Sequence, residues 1–124
     1  MPDRLSAADL RGLPDPAATP VDCACSRLQC AGWESVSAPL GEPLLQRLGT
    51  LRDLQVAEPT FEEKHQDGSR YESPNAPIAA AFFPYNRCEV WACRTCGRGF
   101  LQYTEFGGYY VDHRLRQLDP ALVV

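Results

Sequence analysis

The stretch from Arg87 to Leu118, RCEVWACRTCGRGFLQYTEFGGYYVDHRLRQL, decides the fold expected of this chain. Its two apolar runs, EVWA and GFLQY, flank the turn RTCGRG, and a double glycine separates the second run from YYVDHRLRQL. In that last segment the side chains alternate with a period of two, which is typical of a strand with one wetter face. The pattern predicts a three-stranded antiparallel meander. A helix from Val111 onward is the competing interpretation.

Two short helices and a strand are expected before the meander. Ser6 is suited to cap a first helix, which Gly12 would end. WESV, around Glu34, predicts a strand. The segment 41–51, GEPLLQRLGTL, predicts a second helix, because its leucines form an apolar stripe at helical spacing and a glycine follows them.

The middle of the chain predicts a hairpin and a packed loop. Segment 60–73 is expected to turn at Asp67-Gly68, a dipeptide that two-residue hairpin loops favour. Segment 73–85 is apolar but carries three prolines, which would interrupt strand pairing. We therefore expect an ordered loop that packs over the core.

Together these elements predict an α+β fold: a small antiparallel β-meander with one or two short helices and long proline-rich loops. Residues 1–22 are expected to form a short helix and a proline-rich arm. Residues 23–124 are expected to form a single α+β domain, which the length of 124 residues permits.

Composition and charge restrict the classes of function. The formal net charge of −4 disfavours nucleic-acid binding, which depends on neutralising phosphates. The first residues do not have the pattern of a secretory signal, and no apolar run approaches the ~20 residues that a membrane span needs. We therefore expect no membrane partner and a cytoplasmic location, where cysteine clusters more often bind metals than form disulfides.

The six cysteines fall into two groups with metal-ligand spacing. Cys93-x-x-Cys96-Gly97 forms a tight turn that lets two sulfurs point at one ion. Cys25 and Cys30, with four residues between them, are the predicted second pair. The predicted zinc ligands are therefore Cys25, Cys30, Cys93 and Cys96, with Cys23 as the alternative to either member of the second pair.

The turn and its flanking strands resemble the zinc-ribbon class over about residues 87–111. In that class two cysteine-bearing turns, called knuckles, hold the metal between them, and a possible second knuckle lies near Cys25. The longer segment 83–123 is similar to small bacterial proteins of uncharacterised function. These resemblances imply a bacterial, cytoplasmic protein in which residues 23–124 form a zinc-ribbon-like domain with a structural zinc site. They assign no catalytic residues. Four thiolates would leave no open position on the metal for water.

Other uses of the cysteines stay open. Strand alternation places Cys88 on the face opposite to Cys93, which indicates a buried apolar thiol, although Cys88 or His113 could replace a ligand. All the thiols could also be reduced and structural. Finally, Cys93 and Cys96 could form a redox pair, but such pairs usually begin a helix in a βαβ unit, and this pair lies between strands.

The function that the sequence favours is a non-enzymatic interaction module. We find no nucleophile–base motif, phosphate loop or open metal site. The partner is expected to be a protein with an acidic patch, because residues 87–118 carry five arginines against three acidic residues. The predicted contact residues are Arg94, Arg98, Arg114 and Arg116. A thiol redox protein and a nucleic-acid-binding zinc ribbon are the alternatives.

Overall fold

A computed structural model describes residues 4–18, 22–28, 30–36, 44–53, 55–62, 76–106 and 109–124. One short helix, α1 (Ala7–Arg11), precedes a five-stranded antiparallel sheet. The strands are β1 (Glu34–Val36), β2 (Leu45–Thr50), β3 (Glu89–Cys93), β4 (Gly99–Phe106) and β5 (Val111–Gln117). The predicted α+β class is confirmed.

The strand order is β1-β5-β4-β3-β2, so the consecutive strands β3, β4 and β5 form the centre of the sheet. This is the predicted meander, and residues 111–117 form a strand rather than a helix. The strand predicted at WESV is β1, which pairs with β5 through Glu34 and Leu115. The two N-terminal strands therefore cover the two edges of a C-terminal meander.

The predicted helix over 41–51 is wrong, because Leu45–Thr50 form an edge strand beside β3. Leu45 is fully buried, while Gln46 and Arg47 are exposed. The register shifts between Arg47 and Gly49, which is the irregularity of a β-bulge. Without β2, the backbone groups on one side of β3 would have no strand partner, and this tertiary pairing overrides the helical spacing of the leucines.

The N-terminal helix forms as predicted. Ser6 and Asp9 make a capping box, in which each side chain accepts a hydrogen bond from the backbone N–H of the other residue. Gly12 is the C-cap. Leu10 is fully buried in the main core, so α1 packs on the sheet.

Alternation along the strands sends side chains into two apolar clusters. The main core lies on the face that carries Val90 and Leu101, and the loop predicted over 73–85 packs there through Ile78 and Tyr85. A smaller cluster contains Cys93 and Phe100, with these further members: Cys23, Cys25, Cys30, Leu45 and Leu115. The cysteine-rich segment therefore packs on the face opposite to the main core.

Three predictions lie outside the described residues or stay untested. The hairpin at Asp67-Gly68 and the turn at Gly107-Gly108 fall in residues that the structure does not describe. The division at residue 22 stays a prediction. In the described parts of the chain, no helix has the length and apolar character that crossing a membrane requires.

Candidate metal centre

The turn after β3 is built to bring two cysteines together. Cys93 ends β3, and the backbone N–H of Gly97 donates to the carbonyl of Cys93 at 2.9 Å. Gly97 has φ = 83°, a conformation that costs side-chain-bearing residues free energy. The N–H of Thr95 also points at the Cys93 sulfur, at 3.4 Å. The predicted knuckle is therefore present, with its glycine in the position that needs one.

The second pair of sulfurs comes from the segment before β1. Cys23 is the N-cap of a 3-10 helix over Ala24–Arg27, and Cys25 lies inside it. The N–H of Leu28 donates to the carbonyl of Cys25 at 3.0 Å, which ends this turn. The tight turn lets Cys23 and Cys25, which have one residue between them, both point towards the Cys93–Cys96 knuckle.

The sulfur atoms of Cys23, Cys25, Cys93 and Cys96 all lie within 4.8 Å of one another. Cys23 is 3.6 Å from both Cys93 and Cys25, and Cys25 is 3.3 Å from Cys96. A Zn–S distance of about 2.3 Å gives a tetrahedron whose edge is about 3.8 Å. A disulfide would need about 2.05 Å, and all four cysteines are free thiols. The spacing of the sulfurs fits a tetrahedral metal site.

The structure places Cys30 outside this group of four. Its sulfur donates to the carbonyl of Leu28 at 3.5 Å, and its carbonyl accepts from the N–H of Gln117 at 2.8 Å. The chain at Cys30 is thus tied to the end of β5, and burial raises the pKa of the thiol to about 11. The alternative named from the sequence, Cys23, occupies the fourth position.

The remaining candidate ligands also lie apart from the cluster. Cys88 is fully buried in the main core, and its sulfur donates to the carbonyl of Pro84 at 3.3 Å. The prediction of a buried apolar thiol on the opposite face is confirmed. His113 faces a different neighbour, because its Nδ1 lies 3.1 Å from the hydroxyl of Thr104. These two residues are register partners on β5 and β4, so this is an ordinary cross-strand pair.

The thiols of the cluster differ in acidity. Burial alone would raise the pKa of Cys93, but the backbone N–H groups of Cys96 and Thr95 and the thiols of Cys23 and Cys25 lower it to about 6. Burial, followed by hydrogen bonds with neighbouring thiols, raises the pKa of Cys25. Burial also raises the pKa of Cys96. Cys93 therefore becomes a thiolate before Cys25 and Cys96 do.

Arg98 contacts the backbone of the cysteine cluster and is buried, although the sequence predicted that it lies on the surface. Its side chain is only 7% exposed and stacks over Phe100, 4.8 Å from the ring centre. The guanidinium donates to the carbonyls of Cys25 and Leu28 at 2.8 and 3.1 Å. It also donates to the side-chain oxygen of Gln117 at 2.7 Å. The segment with Cys25 is thereby tied to the knuckle and to β5.

The structure removes two arginines from the predicted partner surface. Arg98 is buried, and Arg116 has no exposed surface, because its position on β5 points into the main core beside Tyr85 and Ala76. Arg114 lies between Glu105 and Asp112 and forms ion pairs with both at 3.1 and 2.9 Å. Of the four predicted contact arginines, only Arg94, on the turn, is exposed. The alternation along β5 predicted that Arg116 lies on the more solvent-exposed face of that strand. The loop that contains Ala76 and Tyr85 covers Arg116 instead.

No family model matches this chain, and comparisons with the curated proteins and with solved structures give no match. The resemblance to the zinc-ribbon class stays a prediction, carried by Cys93-x-x-Cys96-Gly97 and its two strands. A functional assignment therefore depends on the geometry of the cysteine cluster and its surroundings.

Proposed function

We propose that this protein is a non-enzymatic interaction module whose fold is stabilised by one structural zinc ion. The observation that carries the proposal is the approach of four thiol sulfurs from two distant segments to within 4.8 Å. Thiolates are soft ligands that suit zinc, and four of them complete its tetrahedral shell. A filled shell leaves no place for water or substrate, so the role of the ion is structural.

The proposed ligands are Cys23, Cys25, Cys93 and Cys96. This set differs from the one that spacing favours in one member, because Cys23 takes the position expected for Cys30. Three of the four sulfurs are almost completely shielded from solvent, and Cys96 is partly exposed. The shielding would protect a bound ion, while the partly exposed sulfur would give it a route of entry.

Metal analysis with matched cysteine variants tests the proposal. We expect one zinc per chain by native mass spectrometry of protein expressed with zinc present. Cys23→Ala should lose the ion, whereas Cys30→Ala, which removes another buried thiol of the same apolar cluster, should keep it. Loss of zinc from Cys30→Ala but not from Cys23→Ala would restore the spacing-based ligand set. Wild-type protein without zinc would refute the metal site itself.

The interaction surface is proposed at the end of the β4–β5 pair rather than at the arginines of the turn. Phe106, Tyr109, Tyr110 and Val111 are all more than half exposed there. Phe106 and Val111 are register partners, and exposed apolar side chains that cluster in this way are typical of protein contact sites. Two of the arginines that favoured an acidic partner are buried, which weakens both the acidic-partner and the nucleic-acid hypotheses.

A thiol redox protein is the second candidate function. The lowered pKa of Cys93, about 6, favours the thiolate that such chemistry requires. Against it, Cys93 is 1% exposed, so an external disulfide cannot reach its sulfur without opening of the cluster. Insulin reduction by the metal-free protein, abolished in Cys93→Ser, would support this function over the structural one.

A further inference from the structure

We propose that Arg98 is the internal counter-ion of the metal-bound cysteine cluster and favours a divalent ion held by four thiolates. This inference rests on the proposed zinc site and adds a residue that neither spacing nor motif had assigned to it. Arg98 would not touch the metal. It would act through the charge of the thiolates and through the position of Cys25.

The surroundings of Arg98 leave its charge uncompensated by any carboxylate of the described residues. Its three hydrogen-bond acceptors, from Cys25, Leu28 and Gln117, are neutral oxygens. Its Nε atom is buried and has no acceptor. A guanidinium keeps its charge in proteins, and burying a charge without an opposite one is costly. The site therefore contains a buried cation that needs an anion nearby.

The cysteine cluster is the group that can supply this anion. Four thiolates around a divalent ion carry a net charge of −2, and the carbonyl of Cys25, one of the four cysteines, accepts directly from Arg98. A metal ion binds thiolates, so it must displace the protons that the thiols of the cluster carry. Metal binding replaces those protons and creates the negative charge beside Arg98. The charge of the cluster therefore complements the Arg98 cation most fully in the metal-bound form.

Position and charge can be separated by the choice of substitution. Arg98→Lys keeps the charge but cannot reproduce the planar fork of donors that reaches three oxygens. Arg98→Gln keeps a donor without the charge, and Arg98→Met keeps only the length and apolar stem. Arg94→Met removes a charge from the same turn at an exposed position and is the matched control.

The first experiment measures zinc affinity by competition with a chromophoric chelator. Replacing a residue that contacts the metal ligands but not the metal typically changes the metal affinity by about 10–100-fold. We expect a loss of this size in Arg98→Met and Arg98→Gln, recovery of most of it in Arg98→Lys, and no change in Arg94→Met. Wild-type affinity in Arg98→Gln and Arg98→Met would overturn the inference. So would a Lys variant as weak as the Met variant.

The second experiment detects charge rather than structure. In protein loaded with iron instead of zinc, the four-thiolate site carries −1 with Fe(III) and −2 with Fe(II), and an electrode supplies the electron. A nearby cation stabilises the more negative ferrous form, so Arg98→Gln should lower the reduction potential relative to Arg98→Lys. A tenfold change in the relative stability of the two forms corresponds to about 59 mV. Equal potentials would overturn the inference.

These outcomes are distinct from failure of the zinc site. Wild-type protein that binds no zinc refutes the metal site and the counter-ion together. Wild-type protein that binds zinc, with unchanged affinity and potential in the Gln variant, refutes the counter-ion alone. If Arg98→Met does not fold, the comparison of Lys with Gln decides.

Discussion

The sulfur of Cys25 lies 3.3 Å from the sulfur of Cys96, although 71 positions separate the two residues in the chain. The first belongs to a 3-10 helix before the sheet and the second to the turn between β3 and β4. A metal ion at this point would join the N-terminal segment to the meander. Closing so long a loop is entropically costly, and a metal clip that closes it contributes correspondingly to stability.

Removing the metal should therefore loosen the N-terminal segment first. We expect a strong chelator to lower the melting temperature and to broaden the amide NMR signals of residues 22–36 more than those of β4. Binding free energy at such a site is folding free energy, because the ligands do not converge in the unfolded chain. Adding zinc back should restore the spectrum. Identical melting curves with and without chelator would contradict this prediction.

The two glycines Gly97 and Gly12 should respond in opposite ways to alanine. Gly97→Ala forces a side chain into the left-handed region at φ = 83°, which costs roughly 1–2 kcal/mol. Gly12 has φ = −81°, a conformation that alanine adopts freely, so Gly12→Ala should be neutral or stabilise by about 0.4–1 kcal/mol. Urea unfolding of the zinc-loaded proteins measures both. Equal stability changes would mean that Gly97 does not need its unusual backbone.

Stability at alkaline pH should depend on Tyr85. Burial raises the pKa of its phenol to about 12, and the neighbouring Arg116 only partly offsets this. The folded-state pKa lies above the usual value of 10.0, so the protonated phenol is favoured in the fold. Its contribution is complete below pH 10 and is lost as the pH rises from 10 towards 12.

Absorbance at 295 nm checks the titration of Tyr85. One of the five tyrosines, Tyr85, should ionise above the usual pH range of a phenol, and Tyr85→Phe should remove this late step. The same variant takes an acceptor from the buried Arg116, so its stability at neutral pH should fall by about 1–3 kcal/mol. A tyrosine titration that is unchanged in Tyr85→Phe would contradict the assignment.

Replacing the exposed aromatics should affect association but not folding. Phe106 is 77% exposed and Tyr109 is completely exposed, so Phe106→Ser with Tyr109→Ser should change the free energy of unfolding by less than about 0.5 kcal/mol per site. If this end of the sheet mediates self-association, sedimentation velocity should show less self-association in the double variant than in the wild-type protein. A fall of several degrees in melting temperature would instead place these side chains in the core.

The central meander could be predicted from the sequence because its signal is local. Alternation in β5, the glycine after Cys96 and the apolar runs on either side each depend on neighbouring residues. β2 could not be predicted in this way. Its leucines fit a helix equally well, and the backbone groups of β3 that select the strand lie some forty positions away.

The candidate site was predictable in part for the same reason. The knuckle of Cys93 and Cys96 is a local turn, whereas the choice between Cys23 and Cys30 depends on how the segment 22–30 lies against β4 and β5. The contacts of Cys30 with Leu28 and Gln117 decide that choice, and neither is visible as a spacing. Arg98 was assigned to the surface because it lies in the turn, and Arg116 because of the alternation along β5. Neither signal shows that an arginine is buried, because that depends on oxygens from distant segments.

The position of β1 and β2 at the outer edges of the sheet sets an order on synthesis at the ribosome. Both strands and Cys23 and Cys25 emerge before any of their partners in β3, β4 and β5. In a nascent chain the thiols of Cys23 and Cys25 therefore lack their partners until Cys96 has left the exit tunnel. Likewise, β2 is unpaired until β3 has emerged, and β1 is unpaired until β5 has emerged. A metal ion that needs all four cysteines would be bound only after Cys96 has emerged, which is late in synthesis.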